Sequence, residues 1–153
     1  MEKRFKKIED LISEVKNCAQ EVYEELGVGW EESIYQKAME VALREKGIDY
    51  EDQRILTVSF KGYIVGEGKP DIIVWGKVND KRVGIVIDLK VTSAIKEEHK
   101  SQVKKYMLEL KKQLKENEEV YETGFVFDFT KPSSKKVKEI EKGKELQILP
   151  VKL

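Results

Sequence analysis

Val83-Gly84-Ile85-Val86-Ile87-Asp88-Leu89-Lys90-Val91 is the most apolar stretch of the chain, and it carries two ionisable groups. An apolar, β-branched run of this length predicts a buried central strand. Side chains alternate along a strand, so Val86, Asp88 and Lys90 share one face while Ile85, Ile87, Leu89 and Val91 share the other. A carboxylate and an ammonium are thereby set side by side, partly desolvated, at the strand end. Burying such groups costs free energy unless they are paired or bind something. Taken alone, the Asp-X-Lys triplet is accounted for by an ion pair that still reaches water.

Upstream, Asp71 changes that weighting. It opens a second apolar run, Asp71-Ile72-Ile73-Val74-Trp75, directly after Gly68-Lys69-Pro70, where the proline fixes the backbone and the glycine permits a close bend. Val78-Asn79-Asp80-Lys81 reads as the turn between the two runs. If the two strands pair, the carboxylates of Asp71 and Asp88 converge. Neighbouring carboxylates repel unless a proton or a cation lies between them. Oxygen ligands of this kind suit magnesium or manganese, which keep waters and accept phosphate oxygens. Such an ion polarises a phosphate and acidifies a bound water. Lys90 is then placed to orient that water and to offset charge developing during in-line attack.

The remaining sequence supplies an α/β frame for these strands. Apolar residues recur at helical spacing from Phe5 to Leu26, where Gly27-Val28-Gly29 ends the pattern, and a second helix fits Glu31 to Lys46 with Gly47 beyond it. Arg54 to Phe60 reads as a strand, Lys61-Gly62 as a tight turn and Tyr63 to Val65 as the returning strand. A helix is predicted over Lys96 to Glu116, a buried strand over Gly124 to Phe127, a short charged helix over Ser133 to Lys144 and a last strand over Leu146 to Leu149. The order predicts one domain over residues 1–153, an α/β sandwich with a mixed central sheet flanked by helices. Strands on either side of the Lys96 to Glu116 helix should run parallel, joined by a right-handed crossover.

Four motifs now stand in order: Gly29-Trp30-Glu31-Glu32-Ser33-Ile34-Tyr35, Gly68-Lys69-Pro70-Asp71, Asp88-Leu89-Lys90 and Gln102-Val103-Lys104-Lys105-Tyr106. In this series, from about Val15 to Leu114, the chain resembles the GxxExxY proteins, a branch of the PDDEXK or restriction-endonuclease-like superfamily that includes RecB-type nucleases. The resemblance implies an αβββαβ core, with Asp71, Asp88 and the Leu89 carbonyl as metal ligands and Lys90 as the catalytic lysine. It further implies that Glu32 completes the metal site directly or through water. Where the superfamily often has Glu, this chain has Asp88, which leaves a carboxylate but bears on the choice of metal. Gln102 and Tyr106 lie one helical turn apart and can both face the metal end of the sheet. They either pack there with one hydrogen bond or position Lys90 or a DNA phosphate; the resemblance favours the second role. Tyr35 is open between core and site.

Composition narrows the class. The 153 residues carry 29 basic and 29 acidic side chains, so net charge does not point to nucleic acid. The segment from Lys96 to Lys115 is nonetheless basic, and Lys100, Lys104 and Lys105 are candidates for holding a DNA backbone without reading sequence. The bland account of such a run is a solvated helix face. His99, at the start of that helix, is expected to be exposed and is not needed as a ligand. The single cysteine, Cys18, rules out an intramolecular disulfide and a cysteine-based metal cluster. No apolar run approaches the ~20 residues of a membrane span, and Met1-Glu2-Lys3-Arg4 lacks a signal peptide's apolar stretch, so a cytoplasmic protein is expected. The leading expectation is a magnesium- or manganese-dependent DNA nuclease. Its rivals are a noncatalytic nucleic-acid-binding or assembly module on the same fold, and a junction resolvase acting as a homodimer.

Overall fold

The computed structural model describes residues 2–130 and 146–153, and the helix expected over Ser133 to Lys144 lies outside them. The elements are β1 (Arg4–Phe5), α1 (Ile8–Leu26), α2 (Glu32–Glu45), β2 (Asp49–Asp52), β3 (Leu56–Phe60), β4 (Tyr63–Gly68), β5 (Ile72–Val78), β6 (Lys81–Lys90), α3 (Glu97–Gln113), β7 (Glu118–Val120), β8 (Thr123–Asp128) and β9 (Gln147–Lys152).

The sheet grows around the opening stretch. β5 and β6 pair antiparallel from Ile72 opposite Ile87 to Val78 opposite Lys81. Asn79 and Asp80 close their turn at φ 48° and 67°, a left-handed geometry that Asn and Asp tolerate and that matches strand twist. The chain then crosses over through α3, and β8 lies parallel to β6, with β9 antiparallel beyond it. The sheet is therefore mixed, as predicted. β1 and β2 lie end to end along the other edge of β5, and β7 precedes β8 along β6, giving a sheet of seven strands.

The alternation read from sequence divides the core. Ile72, Val74, Ile85, Ile87, Leu89, Phe125 and Phe127 face α1 and α2, where they meet Leu11, Val15, Tyr35 and Met39. Ile73, Trp75, Val86 and Val126 face α3 and meet Val103, Met107 and Leu110. Asp71, Asp88 and Lys90 continue this second face past the apolar core, toward the end of the sheet. Among the described residues, no helix is long and apolar enough to cross a membrane.

Two expectations need correction, and two short strands have no counterpart in the sequence reading. Phe5 was placed in the first helix, but it belongs to β1. Lys3 Nζ bonds Glu14 Oε1 at 2.9 Å and the Lys46 carbonyl at 3.1 Å, pinning the segment, while the Phe5 ring lies flush on Gly76 of β5. The strand expected from Arg54 begins only at Leu56, and β3 and β4 form a separate two-stranded sheet rather than joining the main one. β2 and β7 have no strand pattern in sequence; each forms against an open backbone edge of a buried strand, whose peptide groups otherwise lack partners.

Candidate active site

The register that sets Ile72 opposite Ile87 brings Asp71 next to Asp88, both on the α3 face. The Asp71 N–H donates to Asp88 Oδ1 at 3.2 Å, and the Leu89 N–H donates to Asp71 Oδ2 at 2.8 Å. Asp71 is gripped further by Gln53, whose Nε2 donates to Oδ1 at 3.3 Å, and by Gln36 of α2, whose Nε2 donates to the Asp71 carbonyl at 3.1 Å. Lys90 Nζ lies 3.7 Å from Asp88 Oδ2. The ion pair expected from the triplet is thus present, with a second carboxylate beside it.

Burial first, and then the charge of Asp71, push Asp88 up to about 7, against the opposing pull of Lys90. Burial beside a second carboxylate thus favours a proton on Asp88 well above the ordinary carboxylate range. Glu32, at the first position of α2, is also raised, first by burial and then by Asp71, with Lys90 pulling the other way and Asp128 adding a smaller push. The N-terminus of α2 is therefore aimed at the same end of the sheet, where the helix dipole favours an acidic side chain.

On the other side stands Tyr106. Its ring packs so closely on Gly68 that a Cβ there would lie 2.6 Å from Cε1. Its hydroxyl is raised by burial, then by the negative charges of Asp88 and Asp71, with the Lys69 backbone pulling the other way. Gly68 and Tyr106 so fix the Lys69-Pro70 approach to Asp71, a close contact that only glycine permits. They also line a groove of about 610 Å³ between the β3–β4 hairpin and α3, with Leu56, Val58, Gln102 and Lys105.

The Phe129 N–H donates to the Lys90 carbonyl at 2.9 Å on the β8 side. Successive peptide groups of a strand point to opposite edges, so the Leu89 carbonyl points to the Asp71 side, in line with its own N–H. Two carboxylates, a backbone carbonyl and a lysine thus meet where β5 starts and β6 ends. Residues 9–142 match the family model described as the PD-(D/E)XK nuclease superfamily. The chain belongs to the PD-(D/E)XK nuclease superfamily. Comparison with curated proteins and with solved structures finds no match.

For a PD-(D/E)XK nuclease, the mixed sheet with helices on both faces is the expected frame, and membership supports hydrolytic nuclease chemistry on a nucleic-acid strand. Asp71, Asp88 and Lys90 are brought together; Glu32 and Tyr106 border them within reach of their charges. Among the described residues, no three His, Cys, Asp or Glu side chains are grouped closely enough to hold a metal ion by themselves. Gln102 is exposed on the groove wall, and Lys104 and Lys105 are exposed on α3. Lys100 pairs with Glu97 at 3.5 Å. His99 caps α3, its Nδ1 accepting the Lys96 N–H at 3.1 Å. Tyr35 is core: its hydroxyl donates to the Gly27 carbonyl at 2.6 Å and its ring stacks on Phe129 at 4.4 Å.

Sequence reading missed Gln36, Gln53 and Asp128. Asp128 is fully buried beside Lys90 in the sheet, and its carboxylate accepts the Thr92 N–H at 3.0 Å, the Thr92 hydroxyl at 2.8 Å and the Thr130 N–H at 2.9 Å. It ties down the chain that leaves β6 just after Lys90. A signal was available, since Asp128 interrupts Phe125-Val126-Phe127 and Phe129 as Asp88 interrupts its own apolar run.

Proposed function

We propose that this PD-(D/E)XK protein is a divalent-metal-dependent deoxyribonuclease that hydrolyses phosphodiester bonds at the Asp71–Asp88–Lys90 centre. The observation that carries the reading is the pairing of Asp71 with Asp88 across β5 and β6, with Lys90 3.7 Å from the buried carboxylate. The donor set fits a small hard cation: two carboxylates that repel each other and a carbonyl on the same side, all oxygen ligands. Asp71, Asp88 and the Leu89 carbonyl would hold magnesium or manganese, with Glu32 reaching it directly or through water. When bound, the ion supplies Lewis-acid polarisation of the phosphate and a water of lowered pKa.

The chain's own groups account for the rest. Lys90, held against Asp88, offers its ammonium to the attacking water and to charge growing on the phosphate. Gln53 and the Leu89 N–H hold the Asp71 carboxylate and Gln36 holds its backbone, so the group is in place before substrate arrives. Glu32, with its raised proton affinity, can hold a proton at the edge of the centre. Gln102 and Tyr106 face the strand being cut, and Lys100, Lys104 and Lys105 hold its backbone. DNA as the substrate rests on the likeness of the last three motifs, Gly68 to Asp71, Asp88 to Lys90 and Gln102 to Tyr106, to those of RecB-type nucleases.

The test is a cleavage panel of single-stranded, duplex, flapped and branched DNA with magnesium or manganese. Wild-type protein cuts at least one of them, and Asp88→Ala and Lys90→Ala each lose at least about 100-fold in rate. Variants that cut as fast as the wild type place the activity elsewhere. The rival reading is a noncatalytic nucleic-acid-binding module on the same fold. Calorimetry separates the two, because divalent-ion binding abolished by Asp71→Ala belongs only to the nuclease.

A further inference from the structure

Lys90 neighbours two buried carboxylates in the sheet and pairs with one of them. Along β6, Asp88 precedes it on the same face; across the parallel ladder, Asp128 of β8 is its register partner. Phe125, Phe127 and Phe129 face α1 and α2, so Asp128, which alternates with them, faces α3 as Lys90 does. Neighbouring strands lie about 4.8 Å apart, and the four-carbon stem of a lysine can turn to either side. Among the described residues, Lys90 pairs with Asp88, at 3.7 Å, and not with Asp128. Asp88 is 2% exposed and Asp128 0%, so water screens neither, and charge alone does not choose between them.

The choice follows from what already holds Asp128. Its Oδ1 accepts the Thr92 N–H at 3.0 Å and the Thr130 N–H at 2.9 Å, and its Oδ2 accepts the Thr92 hydroxyl at 2.8 Å. A buried carboxylate is tolerated when its oxygens are bonded, and donors bond a charged oxygen more strongly than a neutral one. Thr130 donates from φ 66°, a left-handed conformation that a β-branched residue adopts only at a cost, so the surrounding structure holds it there. Thr92 supplies two of the three donors and follows Lys90 at the end of β6.

We infer that Thr92 and Asp128 are positioning residues for Lys90: Thr92 restrains the buried carboxylate of Asp128, which leaves the ammonium on Asp88 and beside Asp71. The same bonds anchor the chain where β6 ends, and the Phe129 N–H holds the Lys90 carbonyl at 2.9 Å. Lys90 is the group that belongs to the centre; Thr92 and Asp128 act through it. The restraint is read from the bonds to Asp128, and only its effect on cleavage rests on the nuclease proposed above.

Thr92→Val keeps the branched shape and removes the hydroxyl, so Oδ2 loses its donor and becomes open to Lys90. In a crystal structure of that variant, Lys90 Nζ should lie within about 4 Å of Asp128 and should have left Asp88. Thr92→Ser keeps the donor and should leave Lys90 on Asp88. Cleavage reads the same shift: in Thr92→Val, kcat should fall about 10–100-fold, as for a group misplaced by about 1 Å, while KM changes less than about twofold. Adding Asp128→Asn removes the competing charge, and the amide oxygen still accepts both N–H bonds. Thr92→Val with Asp128→Asn should therefore recover at least about threefold in kcat over Thr92→Val, and Asp128→Asn alone should lose less than Thr92→Val. A merely structural anchor predicts the reverse, because two disruptions at one point would compound.

A Thr92→Val crystal structure with Lys90 still on Asp88 overturns the proposal. So does a double variant no faster than Thr92→Val, or an Asp128→Asn variant that loses as much kcat, since the charge of Asp128 would then be needed rather than restrained. If the wild type cuts no DNA, the nuclease reading fails, and the position of Lys90 in the Thr92→Val crystal still decides this one.

Discussion

Replacing Asp88 by asparagine should make the metal-free protein more stable while disabling its site. The carboxylate is buried beside Asp71 and is driven from 3.8 up to about 7. Its folded-state pKa is raised, so between about pH 4 and 7 the folded chain binds more protons than the unfolded one. Stability therefore falls as pH rises through that window, and the whole penalty is present at pH 8. At about 1.36 kcal/mol per pKa unit, the ceiling is on the order of 4 kcal/mol. Loss of the 3.7 Å pairing with Lys90 takes part of this back, and the amide oxygen can still accept the Asp71 N–H. A net gain of about 1–3 kcal/mol at pH 8 is expected, or roughly 3–10 °C in Tm for a chain of this size. Thermal unfolding with chelator at pH 5.5 and pH 8 measures it: the gain should shrink at the lower pH, where Asp88 is already protonated. An Asp88→Asn variant no more stable than wild type at pH 8 would mean that Lys90 fully compensates the carboxylate pair. The case for a site held under electrostatic strain would then fail.

Other substitutions probe the frame. Gly124 lies under α3, where a Cβ would come within 2.9 Å of Met107 Sδ, Val103 Cγ1 and the Val86 carbonyl oxygen, so Gly124→Ala should cost about 1–3 kcal/mol in urea unfolding. Tyr35→Phe removes the 2.6 Å bond to the Gly27 carbonyl and should cost about 1 kcal/mol, with cleavage per folded molecule unchanged. Cys18 is buried and its thiol is raised from 9.0 to about 11, chiefly by desolvation. The unfolded thiol ionises first, so stability should fall by on the order of 2–3 kcal/mol between pH 9 and 11, a slope that Cys18→Ala removes in parallel denaturation curves.

The parts of the fold that were legible are those whose cause is local. β6 announces itself because only a strand buried on both faces has reason to be so apolar. The Lys61-Gly62 turn followed from residue type, and the structure gives them φ of 51° and 84°. α3 followed from its apolar stripe, with Val103, Met107 and Leu110 buried. What stayed hidden depends on partners far along the chain. Asp49-Tyr50-Glu51-Asp52 reads as a polar loop, yet it is a strand because β5 needs hydrogen bonds along its open edge. β3 and β4 carry a strand pattern, and no pattern within them tells which sheet they join. The candidate site divides in the same way. Asp71, Asp88 and Lys90 stood out as charges in apolar runs, whereas Gln36 and Gln53 are ordinary polar residues until the fold aims them at Asp71.

That division follows from how the centre is built. A carboxylate pair must be buried to interact strongly, and burial penalises it, so the surrounding structure has to hold the pair in place. Here the supports are backbone and amide donors from three directions: the Leu89 N–H of β6, Gln53 beyond β2 and Gln36 of α2. None is charged, so none neutralises the pair, and Lys90 alone lowers the proton affinity of Asp88 among the groups that shift it by charge. On the proposed reading, a bound cation would offset that repulsion. Gln36→Leu should therefore separate support from charge. It loosens the Asp71 backbone without altering the repulsion, so divalent-ion affinity should fall while the pH 5.5-to-8 stability difference persists. If both moved together, Gln36 would be acting on the carboxylate pair itself rather than on its placement.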